Sequence, residues 1–407
     1  MGLFHKGIAA KSALVAFMHR LTLINWSVAA TKVFGDIHGG YLQGVLFSDW
    51  LRLLRRNYGS LDSRSLLRAA GVTANSVFNS VLHLHESHRY DSLIRETECH
   101  PPLFILGVWR SGTTHLHNLF SKDDRFAYPN YTQAMNPHTF LTAEELISRL
   151  TAPSLAETRG IDNMKTGCNQ PEEDEYAILA LSLLSCVLDA PFPQNSKFYA
   201  RFRTFRRCST REISRWQATL KFFVQKLTYK YNRPIVLKSP AHTGRVRMIL
   251  EVFPDAKFVY IHRNPFDVFR SFRNAITKSA ADHTLQSLAG DGGFTSFVID
   301  AIKEINTAYY EERDLIPKNH LFELTYESLT DDPLGQMRNI YQGLDLPDFR
   351  VVEPALKDYL DSISGYERNK LSDLPAELQA SLESEWSQYI TEWRQSMEAR
   401  ESVESSK

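Results

Sequence analysis

The chain has 407 residues, with 47 basic and 47 acidic side chains that give a formal net charge of zero, and 43% of its residues are apolar. These values are typical of a globular protein with ample material for a core, and they exclude a disordered tail protein, a collagen and a small disulfide-framed scaffold. Because a neutral chain lacks bulk attraction for polyanions, no nucleic-acid partner is predicted.

The cysteines and apolar runs indicate a cytoplasmic protein. The four cysteines show no CxxC spacing, which favours free thiols in a reducing compartment: Cys99, Cys168, Cys186 and Cys208. The longest uncharged apolar run, residues 176–188, has 13 residues, whereas a bilayer-spanning helix needs about 20. We therefore expect no spanning helix. A secretory signal is not expected either, because His19 and Arg20 interrupt the first apolar run.

Residues 1–100 are predicted to form a helical N-terminal extension. Apolar residues recur there at helical spacing: Leu14, Phe17, Met18 and Leu21. Further on, Arg52, Arg55 and Arg56 fall on one face of a helix that carries Trp50 and Leu53 on its other sides. We favour a solvated face opposite a packed face. The alternative is peripheral contact of these N-terminal helices with the inner face of a membrane.

From residue 101 the pattern changes to short β-branched and aromatic runs that alternate with helices. Four runs are predicted as strands: residues 103–108, 234–237, 257–261 and 321–325. Continuous apolar strands that alternate with helices indicate a parallel sheet covered on both faces. We predict an α/β fold with a P-loop-like parallel sheet over residues 101–375, followed by a C-terminal helix and tail over 376–407.

A long segment between the first two predicted strands, residues 125–232, is too large for a loop. Helices are predicted within it over 176–188 and 212–231. Insertions at the carboxyl ends of parallel strands commonly build substrate pockets. We therefore expect this helical insertion to hold the acceptor.

The first strand runs into a turn bounded by Gly107 and Gly112, which have the four-residue gap of a P-loop. In such a loop the backbone N–H groups converge on an anion at the positive N-terminus of the next helix. Thr113 stands where a nucleotide triphosphatase places its lysine, which makes a nucleotide kinase the weaker alternative. Arg110 brings a planar, permanently charged group that suits a phosphate or a sulfonate. The sequence thus predicts an anion cradle.

This motif, five residues long, resembles the 5′-phosphosulfate loop of sulfotransferases that use 3′-phosphoadenosine 5′-phosphosulfate (PAPS): Arg110, Ser111, Gly112, Thr113 and Thr114. The family has a second signature, a strand ending in arginine with a serine eight residues later, and both hold the donor's 3′-phosphate. Arg263 and Ser271 match it. The helix start between them has a local explanation, with Asn264 as N-cap and Pro265 at the first helical position.

The second predicted strand, residues 234–237, leads into Lys238, which is followed by Ser239 and Pro240 at a helix start. In the tyrosylprotein and bacterial branches that the chain resembles, a lysine here contacts the bridging oxygen of the donor, where charge develops as the S–O bond breaks. The resemblance therefore implies a catalytic role for Lys238, and a buried structural ion pair is the alternative.

The resemblance leaves the general base open. The tyrosylprotein branch places a glutamate about 20 residues after its loop arginine, but this chain has no carboxylate there. The acidic run of residues 172–175 resembles the Glu-Asp-Glu helix start of bacterial sulfotransferases, although a first helical turn favours acidic residues in any case. We rank Glu173 first and Asp174 second, followed by His138 and His242.

Two weaker similarities complete the site. Tyr326 lies in a strand-end segment that resembles the border of the nucleotide, and Arg368 and Lys370 lie in a segment that resembles the basic loop closing over it. The resemblance implies PAPS as cosubstrate and a hydroxylated small-molecule or lipid acceptor. No metal is expected, since a sulfuryl group carries less charge than a phosphoryl group. A non-catalytic membrane-surface adaptor is the non-enzyme alternative.

Overall fold

Four short parallel strands form the sheet that carries the site, in the order β2-β1-β3-β4. The structure is a computed structural model that describes residues 40–287, 293–365 and 371–404. The strands are β1 (Leu103–Leu106), β2 (Val236–Lys238), β3 (Lys257–His262) and β4 (Leu321–Thr325). In the register, Leu103 lies opposite Val236 on one side and Lys257 on the other. The predicted α/β fold with a parallel sheet is confirmed.

Both faces of the sheet are buried, as continuous apolar strands predict. Phe104 and Leu106 pack into the larger core, together with Phe258 of the neighbouring strand. Leu103 and Ile105 point to the opposite face and join a second core that includes helices near the C-terminus. Because side chains alternate along a strand, all four positions of β1 are covered.

Helices enclose the sheet. Before β1 come α1 (Phe47–Arg56) and α2 (Leu66–Glu96). Between β1 and β2 lie α3 (Thr113–Phe120), α4 (Tyr131–Met135), α5 (Phe140–Thr151), α6 (Glu175–Ser182), α7 (Ser196–Ala200) and α8 (Thr210–Tyr231). Between β2 and β3 lies α9 (Val246–Val252), and between β3 and β4 lie α10 (Pro265–His283) and α11 (Gly293–Glu312). After β4 come α12 (Tyr326–Asp331), α13 (Pro333–Gly343), α14 (Glu353–Ser362), α15 (Ala376–Glu385) and α16 (Ser387–Glu404).

One predicted helix of the insertion is shorter than expected. Residues 176–188 were expected to continue as one helix, but α6 ends at Ser182 because Leu183 adopts left-handed backbone dihedrals, with φ 59°. A 3₁₀ turn, Cys186–Asp189, follows. The second predicted helix, 212–231, matches α8, which starts two residues earlier where Ser209 and Glu212 form a capping box.

The described part of the N-terminal extension packs onto the body rather than standing apart. Trp50 of α1 is buried and donates through Nε1 to Thr73 Oγ1 of α2 at 2.8 Å. Glu86 of α2 forms a buried ion pair with Lys226 of α8. The helix prediction around Leu14 lies outside the described residues, and the domain boundary near residue 100 stays a prediction.

Candidate active site

The turn after β1 has the backbone that a phosphate loop needs. Gly107 and Gly112 adopt φ angles of 143° and 103°, where side chains are strained. A Cβ on Gly107 would lie 2.6 Å from Ser111 Oγ, and one on Gly112 would overlap the ring of Tyr326. Gly112 is also the N-cap of α3, whose first N–H groups have no intrahelical acceptor. The turn is therefore open to an anion at the helix N-terminus.

The two predicted donor-binding motifs meet at Arg110. Arg110 Nε donates to Ser271 Oγ at 3.0 Å, across 161 positions of sequence. The guanidinium of Arg263 donates through Nη1 to the Arg110 carbonyl oxygen at 2.6 Å. Two turns from different strands thus bring two cations and a hydroxyl together at one edge of the sheet.

Arg263 is a half-buried cation that lacks a carboxylate partner in the described part of the chain. Its guanidinium stacks 4.2 Å from the ring centre of Tyr326, and its Nε is buried with no hydrogen-bond partner. Among the residues that the structure describes, no carboxylate lies within ion-pair distance of it. Burial accordingly lowers the pKa of Arg263. A half-buried cation with a buried, unused N–H donor favours an anionic partner, so this position fits a phosphate group.

The remaining residues of the loop differ in their surroundings. Thr113 and Thr114 line the cavity described below. Ser111 does not, because its backbone N–H and its hydroxyl both donate to Val108 O, at 3.1 and 2.8 Å. Ser111 thus makes hydrogen bonds within the loop, and its contact with the donor stays a prediction. Arg368 and Lys370 lie outside the described residues.

A carboxylate that sequence reasoning missed also contacts the loop. Arg110 Nη1 donates to Asp162 Oδ2 at 2.8 Å. Asp162 also pairs with Arg159, and the two guanidinium groups keep the pKa of that carboxyl below its usual value although burial opposes them. Asp162 lies 52 positions from Arg110, so no local pattern could have indicated the contact.

Lys238 and Glu173 form an ion pair beside the loop. Lys238 Nζ donates to Glu173 Oε1 at 2.7 Å and lies 3.5 Å from Thr114 Oγ1. The Lys238 side chain is buried, and Glu173 lines the cavity. Burial raises the pKa of Glu173, and the neighbouring Lys238 charge only partly offsets that effect. A carboxylate with a raised pKa next to a cation is a suitable proton acceptor.

The other base candidates do not line the cavity. Asp174 is fully buried and pairs with His242 Nε2 at 2.5 Å. His138 is buried, and its Nε2 lies 3.1 Å from the Ala180 carbonyl oxygen. Burial lowers the pKa of His138 to about 3. Of the four predicted candidates, Glu173 alone lines the cavity.

The acidic run does not begin a helix in the way the sequence suggested. Helix α6 starts at Glu175, so Glu172 and Glu173 precede its first turn. Glu175 turns inward and binds Arg245 through two hydrogen bonds of 2.6 and 3.0 Å. Three consecutive acidic residues therefore have different surroundings. Glu173 lines the cavity, whereas Asp174 and Glu175 are buried and pair with His242 and Arg245.

The cavity in front of these residues has a volume of about 1280 Å³. Its walls combine the loop, the insertion and one face of α10, and sequence reasoning missed most of its aromatic lining. Trp109 stacks on Phe272 with ring centres 5.2 Å apart. Tyr41 stacks between Tyr176 and His283, at 5.0 and 4.1 Å. A cavity with cations at one end and rings elsewhere can hold an anionic donor and an apolar acceptor together.

Two further predictions concern metal ions and the pairing of the cysteines. In residues 40–287, 293–365 and 371–404 no group of three or more His, Cys, Asp or Glu side chains is arranged to hold a metal ion. That the reaction needs no metal stays a prediction. All four cysteines are unpaired, as their spacing predicts.

Comparisons with known proteins find relatives that belong to one enzyme family. A family model described as "Sulfotransferase family" matches residues 101–350. The chain is 33% identical over 348 residues to "Omega-hydroxy-beta-dihydromenaquinone-9 sulfotransferase Stf3" of Mycobacterium bovis and to the protein of the same name of Mycobacterium tuberculosis, and the match covers 85% of this chain and 89% of each relative.

Two solved structures share the fold. The crystal structure of sulfotransferase STF9 from Mycobacterium avium has a TM-score of 0.64 at 17% identity, covering 90% of this chain and 97% of that one. The crystal structure of sulfotransferase STF1 from Mycobacterium tuberculosis has a TM-score of 0.57 at 18% identity, covering 84% and 91%.

Proposed function

The chain belongs to the sulfotransferase family, and from that premise we propose that it moves a sulfuryl group from PAPS to a hydroxyl group of a lipid-like acceptor. The family assignment decides against a nucleotide kinase and against a non-catalytic adaptor. The observation that carries the choice of donor is the contact between Arg110 Nε and Ser271 Oγ at 3.0 Å, because it joins the two predicted phosphate-binding motifs.

The donor is proposed to lie along the carboxyl edge of the sheet. Arg263 and Ser271 would hold its 3′-phosphate, since the buried Arg263 Nε is without a hydrogen-bond partner there, and Arg110 would belong to the loop that holds the 5′-phosphosulfate. The N–H groups of Gly112, Thr113 and Thr114 at the start of α3 would hold the 5′-phosphosulfate. Tyr326, which packs on both Gly112 and Arg263, would border the nucleotide.

The ion pair at the cavity supplies the two groups that the transfer needs. PAPS brings the sulfuryl group when it is bound. Glu173 accepts the proton of the acceptor hydroxyl as the new O–S bond forms, and Lys238 stabilises the negative charge left on the donor oxygen as the old S–O bond breaks. Burial raises the pKa of Glu173, and the Lys238 charge 2.7 Å away opposes that effect by favouring the ionised carboxylate.

The acceptor is proposed to be an alcohol with an extended apolar body. The aromatic and aliphatic part of the cavity supports this choice, with Phe272 and Ile276 on the α10 side. The named relatives act on a hydroxylated menaquinone derivative, as their name states. We propose the same chemical class here, a primary or secondary alcohol on a lipid-like chain.

The proposed location is the cytoplasm, with peripheral contact at the inner membrane face. None of the helices within the described residues is long and apolar enough to cross a bilayer. A lipid-like acceptor is concentrated in membranes, so an enzyme that modifies it gains from working at their surface.

Two measurements test the proposal. Calorimetric titration with 3′-phosphoadenosine 5′-phosphate (PAP), the by-product, should give heat and a single site, and labelled PAPS should yield labelled lipid alcohol. Absence of PAP binding would contradict the donor assignment. PAP binding without labelling of any lipid alcohol, but with labelling of a water-soluble one, would contradict the acceptor class alone.

A further inference from the structure

Helix α2 carries an exposed line of apolar side chains. We define it as the α2 stripe: Leu67, Ala70, Ala74, Val77, Val81 and Leu84. Their spacing alternates between three and four residues, so they form one line about 26 Å long on the helix surface. The large members are well exposed, with Leu67 at 64%, Val77 at 45%, Val81 at 49% and Leu84 at 70%.

The rest of α2 shows that this exposure is specific to one face. Val72, Asn79 and Glu86, on the opposite side, are buried against the body. Asn79 Nδ2 donates to Gln43 O at 2.7 Å, and Glu86 pairs with Lys226. The helix is therefore anchored on one face while its other face leaves apolar side chains in solvent, which in a globular protein marks an interaction surface.

The exposed charged residues near the α2 stripe are basic, whereas Asp62 and Asp91, acidic residues before and after it, are only partly exposed. Residues 66–85 contain no Asp or Glu. Arg64 precedes the stripe and Arg89 follows it, both exposed, and Arg55 on the neighbouring α1 is exposed as well. An apolar line with exposed basic residues at its ends is complementary to a bilayer that contains anionic lipids.

The neighbouring side chains argue against a partner helix. A helix pair specified by a three-four repeat carries acidic and basic residues next to its apolar line. Beside the α2 stripe stand Gly71, Thr73, Phe78, Ser80 and His85, which include no such pair. The observations therefore favour a lipid surface over a second helical protein or a second copy of this chain.

The α2 stripe also begins next to the apolar end of the cavity. His283, at the end of α10, lines the cavity. Arg68, beside Leu67, donates through Nη1 to the carbonyl oxygen of Thr284 at 2.7 Å. The backbone N–H of Asp62 donates to Leu285 O at 3.0 Å. The first turn of α2 and the α10 end of the cavity wall are thus neighbours.

We propose that the α2 stripe, with the arginines around it, is the surface by which the protein docks on an anionic membrane, with the α10 end of the cavity facing that membrane. The geometry assigns this contact to α2 rather than to the arginine face of α1. There Arg52 pairs with Asp49 at 2.5 Å, and Arg56 stacks on Phe198 at 4.4 Å. The docking surface stands without the proposed function, whereas entry of a lipid acceptor at this end of the cavity rests on it.

Vesicle binding tests the surface directly. The purified chain is sedimented with vesicles of equal parts phosphatidylglycerol and phosphatidylcholine, and with vesicles of phosphatidylcholine alone. We expect binding to the anionic vesicles and a loss of at least about tenfold in affinity for the double variant Val77→Glu/Val81→Glu. Because both side chains are exposed, thermal unfolding should be nearly unchanged. Val351→Glu, at a position that is 65% exposed in a different part of the fold, is the matched control.

Three results would overturn the proposal: no binding of the unmodified chain to anionic vesicles, equal loss in Val351→Glu, or self-association that the double variant abolishes in the absence of vesicles. The last result would assign the α2 stripe to a second copy. Transfer to a short water-soluble alcohol, measured in parallel, should be equal in the double variant and the unmodified chain. If that transfer is absent from both while vesicle binding persists, the proposed function fails and the docking surface stands.

Discussion

Lys238 Nζ and Glu173 Oε1 lie 2.7 Å apart. This ion pair joins the end of β2 to the residues before α6 at the wall of the cavity. Lys238 is the more buried partner, and Glu173 is the one on the cavity side. The pair places a cation and a proton acceptor where one transfer step would need both.

Replacing Lys238 with alanine should slow transfer without preventing donor binding. We expect kcat to fall about 10²–10³-fold, because a charge-stabilising donor is lost, while PAP affinity stays nearly unchanged. Lys357→Ala, at an exposed lysine outside the cavity, is the control. Steady-state kinetics and calorimetric titration with PAP measure kcat and PAP affinity for the two variants. An undiminished kcat in Lys238→Ala would remove this residue from the mechanism.

Glu173→Gln should abolish most of the transfer and remove the acidic limb of the pH–rate profile. Because burial raises the pKa of Glu173, the carboxylate forms only above the usual glutamate range, and activity should rise with pH through that shifted value. The test is kcat/KM as a function of pH for both enzymes.

Asp174→Asn is the matched control for Glu173→Gln. Asp174 is buried against His242, so its loss should lower the melting temperature and leave the pH profile of the folded enzyme in place. A profile unchanged in Glu173→Gln but altered in Asp174→Asn would reverse the assignment.

Arg263→Ala should weaken PAP binding about 10- to 100-fold, since a hydrogen-bonded charge pair with a phosphate is worth about 1.5–3 kcal/mol. Calorimetric titration measures the change. Arg270→Ala is a useful comparison, because Arg270 lies on α10, which begins two residues after Arg263, and pairs with Asp267 instead. Equal affinities for Arg263→Ala and the unmodified chain would show that the second motif has been misinterpreted.

Asp189 should make the folded protein less stable as pH rises. Burial raises the pKa of Asp189 from its ordinary value of 3.8 to about 7, and Arg203, 3.7 Å away, offsets only part of that effect. Between these values the folded state holds a proton that the unfolded state has lost, so this group's contribution to the free energy of unfolding falls between about pH 4 and about pH 7.

The variant Asp189→Asn removes that dependence. The melting temperature of the variant minus that of the unmodified chain should increase from about pH 4 to about pH 7. Above that range the difference should stay constant. Thermal unfolding followed by circular dichroism across the range measures the difference. A constant difference at all pH values would mean that Asp189 titrates normally in the folded protein.

The amino-acid sequence alone determined the parts of this protein that depend on neighbours along the chain. The four strands, the strained glycines of the loop and the Asn264 cap, whose side chain accepts from the N–H groups of Phe266 and Asp267, follow from local geometry. The spacing of the two motifs also indicated the family, since each motif is a strand, a turn and a helix start.

Tertiary structure alone decided which side chains share the cavity and which face of each helix stays exposed. Glu173 and Asp174 are adjacent in sequence, yet one faces Lys238 and the other His242. Asp162 meets Arg110, and α2 leaves Leu84 in solvent. These outcomes depend on contacts between segments distant in sequence, whose geometry no local propensity or periodicity contains.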